Sequence, residues 1–485
     1  MTIPDHILKT LQDIQASGYE AYIVGGCVRD ILMRKVPKDW DITTNAKPEE
    51  VMKVFPEARY ENNFGTVLLP IRAAVEPGEL KGKLEDVVEI TTYRSEQNYS
   101  DRRHPDIVNF ETELFKDLER RDFTVNALAL NPHDNQKIID LFGGEKDIKL
   151  KIIRAVGEPS DRFKEDALRM LRAVRFSTQL DFTLEPKTQR AIVKLAGSLK
   201  FISKERIRDE IIKILASDRP AAGMMLLHDC KLLQYILPEL EQGFDVKQDR
   251  HHIYTVFKHN ILSLQYCPSK EWQVRLAALL HDIGKPKTRK IISGIATFYN
   301  HEYVGARLTE KIMTRLKFSV ADTSRVVRLV KNHMFYYNVG EVTAASVRRL
   351  LVKVGKENLQ DLIHLRVADR LGSGTPKAMP YKLRHLQYML EKVQNDPVSV
   401  KMLKINGDDL MKELKISPGP KIGAILDVLL SEVIEKPELN DVKKLKSRAK
   451  QLEKLNLEEL REKAKSIIDD QRAVDDDKIK RQFKV

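Results

Sequence analysis

Strand-like segments are confined to the first third of this chain, and that asymmetry constrains its fold more than any other feature. Tyr19 to Val24, Asp39 to Thr44, Thr66 to Arg72 and Val87 to Tyr93 read as strands, rich in β-branched and apolar residues. Helix-like stretches at 5–17, Val28 to Arg34 and Lys47 to Phe55 alternate with them. The last opens at Lys47-Pro48, and proline is favoured at the first position of a helix. Beyond residue 150 the strand signal fades, and Arg162 to Ser177, Pro186 to Ala196 and Lys204 to Ala216 carry helical periodicity. The mixed pattern fits an α/β or α+β head of roughly 150 residues followed by helical domains, and the fold class expected for the whole chain is α+β. The expected divisions are a head at 1–150, a helical neck at 151–225, a helical body at 226–395 and a helical tail at 396–485.

With 42% hydrophobic and 32% charged residues the chain is too apolar to stay disordered. No apolar run approaches the roughly 20 residues of a membrane span, so no membrane partner is expected. The acidic N-terminal stretch lacks the apolar core of a secretory signal. Three scattered cysteines, Cys27, Cys230 and Cys267, exclude a disulfide framework and favour a reducing cytoplasm. The net charge of +13 favours a polyanionic partner such as nucleic acid.

Asp39-Trp40-Asp41 falls on a predicted strand, where side chains two apart share a face. Two carboxylates so placed repel each other unless a cation neutralises them. Mg²⁺ takes one or two carboxylates together with substrate phosphates; the alternative is a solvated strand end. Gly25-Gly26, between a strand and a helix, would let phosphate oxygens approach the backbone near the helix N-terminus, with Arg29 adding a cation. Glu89 is a candidate third carboxylate, or an exposed strand residue. On a helical wheel Glu165, Asp166, Arg169, Arg172 and Arg175 share one half, and Ala167, Met170, Leu171 and Val174 the other. One helix is therefore expected to bury an apolar face and present a carboxylate among arginines.

These segments resemble a known family. Tyr22 to Asp30, with Asp39-Trp40-Asp41, is similar to motif A of class II tRNA nucleotidyltransferases, members of the polymerase-β-like superfamily. Arg120 to Ala127 and Arg162 to Arg172 are similar to that family's RRD and EDxxR motifs. The family includes CCA-adding, CC-adding and A-adding enzymes and bacterial poly(A) polymerases. The resemblance implies tRNA, CTP and ATP as partners. It implies catalysis by Asp39 and Asp41 with Mg²⁺, and nucleotide contacts from Gly26, Arg29, Arg121, Asp122, Asp166, Arg169, Arg172 and Arg175. Asp122 would meet the ribose 2′-hydroxyl, and Asp166 and Arg169 would read the base. Cytosine and adenine each offer an amine beside a ring-nitrogen acceptor, whereas uracil and guanine reverse both signs. The tRNA 3′-hydroxyl would attack the α-phosphorus and pyrophosphate would leave. The stretch from Tyr93 to Val108, which includes Tyr99 to Pro105, stands where the family has a flexible loop and looks full length, which favours an enzyme able to add the terminal A.

A second constellation follows. Six of the twelve histidines lie at 251–333. Leu279 to Lys285 contains His281-Asp282, with His259 upstream and Asp369 downstream, and resembles the HD phosphohydrolase superfamily. His259, His281, Asp282 and Asp369 would then be metal ligands, and His301 and His333 would hold a second ion. Imidazole plus carboxylate suits Mg²⁺ or several divalent transition metals. The substrate would be a phosphomonoester or a 2′,3′-cyclic phosphate, unless the module only packs. In the tail, Pro418-Gly419-Pro420 is expected to end a loop before a helix at Lys421, which either grips tRNA phosphates or merely caps a turn. The leading expectation is CCA addition fused to an HD phosphohydrolase. The alternatives are an A-adding enzyme or poly(A) polymerase, and an RNA-binding phosphohydrolase whose head only holds RNA.

Overall fold

The computed structural model describes residues 3–62, 65–73, 83–97, 107–249, 253–335, 347, 350, 353–374, 381–394, 403–435 and 437–463. The loop from Tyr99 to Pro105 lies outside the described residues. Two compact units divide the chain, one at 1–331 and 364–375, the other at 332–363 and 376–485. Among the described residues no helix is long and apolar enough to cross a membrane.

The first unit is built on a seven-stranded mixed sheet. Its strands are β1 (Ala21–Val24), β2 (Asp41–Thr44), β3 (Arg59–Asn62), β4 (Thr66–Arg72), β5 (Leu84–Thr92), β8 (Leu128–Asn131) and β9 (Lys137–Asp140). The order is β3-β4-β5-β2-β1-β8-β9, with β2 parallel to β5 and the other neighbours antiparallel. The short β6 (Arg94–Gln97) and β7 (Ile107–Phe110) form a separate ribbon. The helix Asp5–Ala16 lays Ile7, Leu11 and Ile14, spaced as one stripe, into a core with Ile23, Ile42 and Ile90.

Two local expectations are corrected. β2 begins at Asp41, not Asp39. Its register with β1 ends at the Val24–Asp41 pair, because β1 leaves the sheet at Gly25, where φ is +83°. Asp39 therefore sits in the bend ahead of the strand, while Trp40 is buried. The single helix expected over Arg162 to Ser177 is two, Pro159–Glu165 and Leu168–Leu180. The break falls at Asp166, which is extended (φ −136°, ψ 106°). Its Oδ1 accepts the Leu168 amide at 2.9 Å, the local side-chain bond by which Asp competes with helix continuation.

Past residue 150 the chain is helical but not wholly so. Ile152–Ile153 pairs with Thr183–Leu184, and Lys290–Ile292 forms a hairpin with Ile295–Thr297. The hairpin turns at Ser293 and Gly294, both at positive φ. In the second unit the helices Gly407–Leu414, Pro420–Glu435 and Val442–Leu452 enclose a core that includes Leu410, Ile425, Leu429 and Leu445. The helix expected from Lys421 begins one residue earlier, at Pro420.

Candidate active site

β1 ends at Gly25, and the helix Gly26–Leu32 starts directly after it. A Cβ at Gly25 would lie 3.0 Å from Arg121 Nη1 and 3.5 Å from Asp41 Oδ2, so the positive φ and the crowding both require glycine. Around this turn opens a cleft of about 840 Å³. It is lined by all ten head and neck residues singled out from the sequence: Gly26, Arg29, Asp39, Asp41, Arg121, Asp122, Asp166, Arg169, Arg172 and Arg175.

One wall is acidic. Asp41 and Glu89 are register partners across the parallel β2–β5 pair, so Glu89 does join the two aspartates at the cleft. Burial raises the Asp41 carboxyl above its ordinary range; Arg121 opposes this and Asp39 adds to it. Burial also raises Glu89, with Asp41, Glu61 and Asp39 contributing repulsion. Carboxylates that destabilise one another along one side of a cleft offer oxygen donors suited to a hard divalent cation.

The cleft also carries a series of arginines, each held by a carboxylate or amide. Arg29 donates to Asn126 Oδ1 at 2.6 Å and to Asp30 at 2.8 and 2.9 Å. Arg120 and Arg121, at the end of the helix Leu114–Glu119, reach back to the fully buried Asp117 at 2.6 and 3.0 Å. Arg169 donates to Glu165 at 2.6 Å and to the Arg120 carbonyl at 3.0 Å. Arg175 pairs with buried Glu210 at 2.9 Å, and its guanidinium lies 4.3 Å from the Phe176 ring centre. Asp166, freed from the helical wheel by the break, is gripped by Arg206 from the helix Lys204–Leu215. Nη2 meets Oδ2 at 2.6 Å and Nη1 meets Oδ1 at 3.4 Å.

Asp122 lines the same cleft and is held by several donors. Its Oδ1 accepts from the Phe123 amide and Asn126 Nδ2, and its Oδ2 from Arg172 Nε and Nη2. Those four donors match the roughly four acceptor positions of a carboxylate. Asp122 thereby fixes the Arg172 guanidinium beside it at the cleft. Burial would raise Asp122, but Arg172 and Asn126 outweigh it and hold the carboxyl below its usual range. Asp117, Arg206 and Glu210 carry no sequence signal of their own, and Asn126 lies within the Arg120 to Ala127 motif without having been singled out. Arg206 and Asp166 are forty positions apart and meet only in the fold.

Asp117 supports a stability prediction. Burial raises its carboxyl, yet Arg120 and Arg121 more than offset this and lower it. Its stabilising contribution is therefore complete above the unfolded value of 3.8 and is lost as pH falls through the depressed folded value. Asp117→Asn strands two arginines and is expected to cost about 3 kcal/mol in a denaturant titration at neutral pH. The gap between variant and wild type should narrow as pH falls below about 4.

The first unit holds a second polar cluster. His259 Nε2 lies 2.9 Å from His281 Nε2, 3.2 Å from Asp282 Oδ2 and 3.4 Å from Asp369 Oδ1. His301 Nε2 approaches Asp282 Oδ1 at 3.2 Å. His281 Nδ1 donates to the Ala278 carbonyl, which leaves the lone pair of Nε2 facing the cluster. Gly284 allows this closeness, since a Cβ there would overlap the His301 carbonyl and the Gly305 amide. Burial opposes protonation of His259, but Asp282 and Asp369 outweigh it and raise the imidazole to about 9. Positive charge is thus favoured where the four side chains converge, and imidazole plus carboxylate donors fit a divalent metal. His333 belongs to the second unit.

Comparison with known proteins matches three segments of the chain. Residues 21–154 match the Poly A polymerase head domain, 181–244 the probable RNA and SrmB-binding site of polymerase A, and 252–373 the HD domain. The CCA-adding enzyme of Ligilactobacillus salivarius is 33% identical over 458 residues, 93% of this chain and 98% of the relative. That of Enterococcus faecalis is 32% identical over 444 residues, 90% and 93% of the two chains. An A-adding tRNA nucleotidyltransferase of Deinococcus radiodurans is 38% identical over 341 residues, 67% of this chain and 76% of the relative. In three dimensions the chain is similar to the Bacillus stearothermophilus CCA-adding enzyme in complex with CTP, with a TM-score of 0.60 at 26% identity over 93% of this chain and 98% of that one. The α+β head with its helical continuation, the two polar clusters and this near-full-length similarity lead to one conclusion: the chain belongs to the CCA-adding enzyme family of tRNA nucleotidyltransferases.

Proposed function

We propose that this protein adds C, C and A to the 3′ end of tRNA from CTP and ATP without a nucleic-acid template. One observation carries the reading: the acidic wall of Asp39, Asp41 and Glu89 and the Asp166–Arg169 pair line the same cleft. Joining and selection are thus within reach of one bound nucleotide. Asp39 and Asp41, with Glu89 beside them, would hold divalent metal, with Mg²⁺ the ion best matched to an all-oxygen donor set. Such a cation activates the attacking hydroxyl and neutralises the phosphates. Arg29, Arg121 and Arg172, in the same cleft, would balance triphosphate charge.

Asp166 performs the reading of the base. Three of its acceptor positions are taken by Leu168 and Arg206, and Oδ2 keeps one for the exocyclic amine of cytosine or adenine. Arg169 supplies the donor to the neighbouring ring nitrogen. A uracil or guanine would place a carbonyl against the carboxylate, at about 1–3 kcal/mol per unsatisfied group. The test presents the protein with tRNAs lacking CCA, ending in C, or ending in CC. Ordered incorporation of C, C and A is expected; A incorporation alone, on the CC end only, would assign the A-adding reading instead.

The His259, His281, Asp282 and Asp369 cluster supports a metal-dependent phosphohydrolase acting on phosphomonoesters or cyclic phosphates. Asp282→Ala removes a carboxylate that faces both His259 and His281. It should weaken Mn²⁺ binding, followed by calorimetry, by at least about 100-fold. Nucleotide addition by the head should be retained. Unchanged Mn²⁺ affinity would refute the metal assignment.

A further inference from the structure

Five large apolar side chains stand in solvent within thirteen residues of the second cluster: Ile291, Ile292, Ile295, Tyr299 and Tyr303. Tyr299 is 72% exposed and Tyr303 51%. The same stretch begins with exposed Lys287, Arg289 and Lys290, and no acidic residue occurs from Lys285 to Asn300. Apolar patches of this kind on a soluble fold mark an interaction surface. Here the charge selects the partner, since exposed aromatic rings that follow a run of three exposed cations suit a single nucleic-acid strand, with bases stacked and phosphates paired.

The hairpin is fixed to the metal-ligand cluster at both of its ends. At the near end, Lys285 donates to Asp282 at 2.6 Å and to Gln248 at 2.6 Å, and its ammonium lies 5.5 Å from the Phe298 ring centre. At the far end, the Phe298 carbonyl accepts from His301 Nδ1 at 2.8 Å. The Ala296 amide is pinned by Asp249 at 2.6 Å. Tyr299 is two residues from His301, so their Cα atoms are at most about 7 Å apart. A terminal base on Tyr299 would leave its phosphate about one nucleotide from the cluster.

We infer that the 285–303 segment is a docking ledge for a single-stranded RNA 3′ end, which it delivers to the His259–Asp369 cluster. This rests on the phosphohydrolase reading and adds the substrate class, a phosphorylated RNA terminus in place of a free small phosphate ester. The ledge supplies affinity through stacking and ion pairing, and the cluster supplies the chemistry.

The experiment uses the full-length protein with Mn²⁺ and an RNA oligonucleotide that carries a 3′-phosphate behind a terminal 4-thiouridine. Photocrosslinking should label the peptide containing 287–303. Tyr299→Ala with Tyr303→Ala should cut the crosslink and raise KM for the RNA about 5- to 100-fold. The KM for p-nitrophenyl phosphate should stay within about 2-fold, because that substrate is too small to reach the ledge. Replacing Lys287, Arg289 and Lys290 with Glu should reduce the salt dependence of RNA binding by about two logarithmic units per logarithm of salt. Crosslinking only elsewhere, or equal losses on both substrates, overturns the ledge. If wild type hydrolyses neither substrate while the ledge still crosslinks, the phosphohydrolase reading fails and the RNA surface stands. A ledge that crosslinks no RNA but captures a protein chain refutes the inference.

Discussion

Asp41→Asn is expected to lower nucleotide addition at least about 1,000-fold, since it removes several kcal/mol of metal-mediated charge stabilisation at the reacting phosphate. The substitution is close to isosteric and relieves a buried charge that its surroundings already disfavour. The thermal midpoint should therefore hold or rise. Hydrolysis at the His259–Asp369 cluster, in separate chemistry on other elements, should be unaffected. The pattern to measure is single-turnover incorporation of CTP beside the melting curve. Lost incorporation with an intact melting curve assigns the effect to chemistry; retained incorporation removes Asp41 from the mechanism.

The second large effect concerns which nucleotide is joined. Asp166→Ala deletes the acceptor for the exocyclic amine and should reduce the kcat/KM preference for CTP over UTP about 10- to 100-fold. Arg206→Met leaves the carboxylate in place but removes the fork that fixes its plane, held at 2.6 and 3.4 Å. A smaller loss of preference is expected, carried mainly by KM for CTP, with Arg206→Lys restoring part of it. If Arg206 serves only to staple two helices, all four nucleotides will slow alike and the preference will not move.

How far the sequence already carried these conclusions depended on whether a signal was local. The four principal strands announced themselves because β-branched apolar runs were bounded by turns. β3, with Arg59, Glu61 and Asn62, is a polar edge strand; β8, Leu128–Asn131, has no β-branched or aromatic residue, and β9 has only Ile138 and Ile139 between two charged residues. All ten head and neck site residues were visible as motifs, and the fold brings them to one cleft. What stayed hidden was pairing across distance. The helical wheel placed Asp166 beside Arg169, whereas its own side chain breaks the helix and turns it to Arg206. The contacts of Asp122 with Arg172, Asn126 and the Phe123 amide were likewise not legible in the sequence. Periodicity reports one element at a time, and these contacts join elements that only tertiary packing brings together.

The most direct measurement is a crystal structure of the full-length protein with Mg²⁺ and a non-hydrolysable CTP analogue. The triphosphate should lie against Asp39, Asp41 and the Gly25–Gly26 turn, with the cytosine N4 amine within about 3.2 Å of Asp166 and N3 facing Arg169. A cytosine bound away from Asp166, or phosphates bound away from the two aspartates, would contradict the shared cleft on which this reading of the enzyme is built.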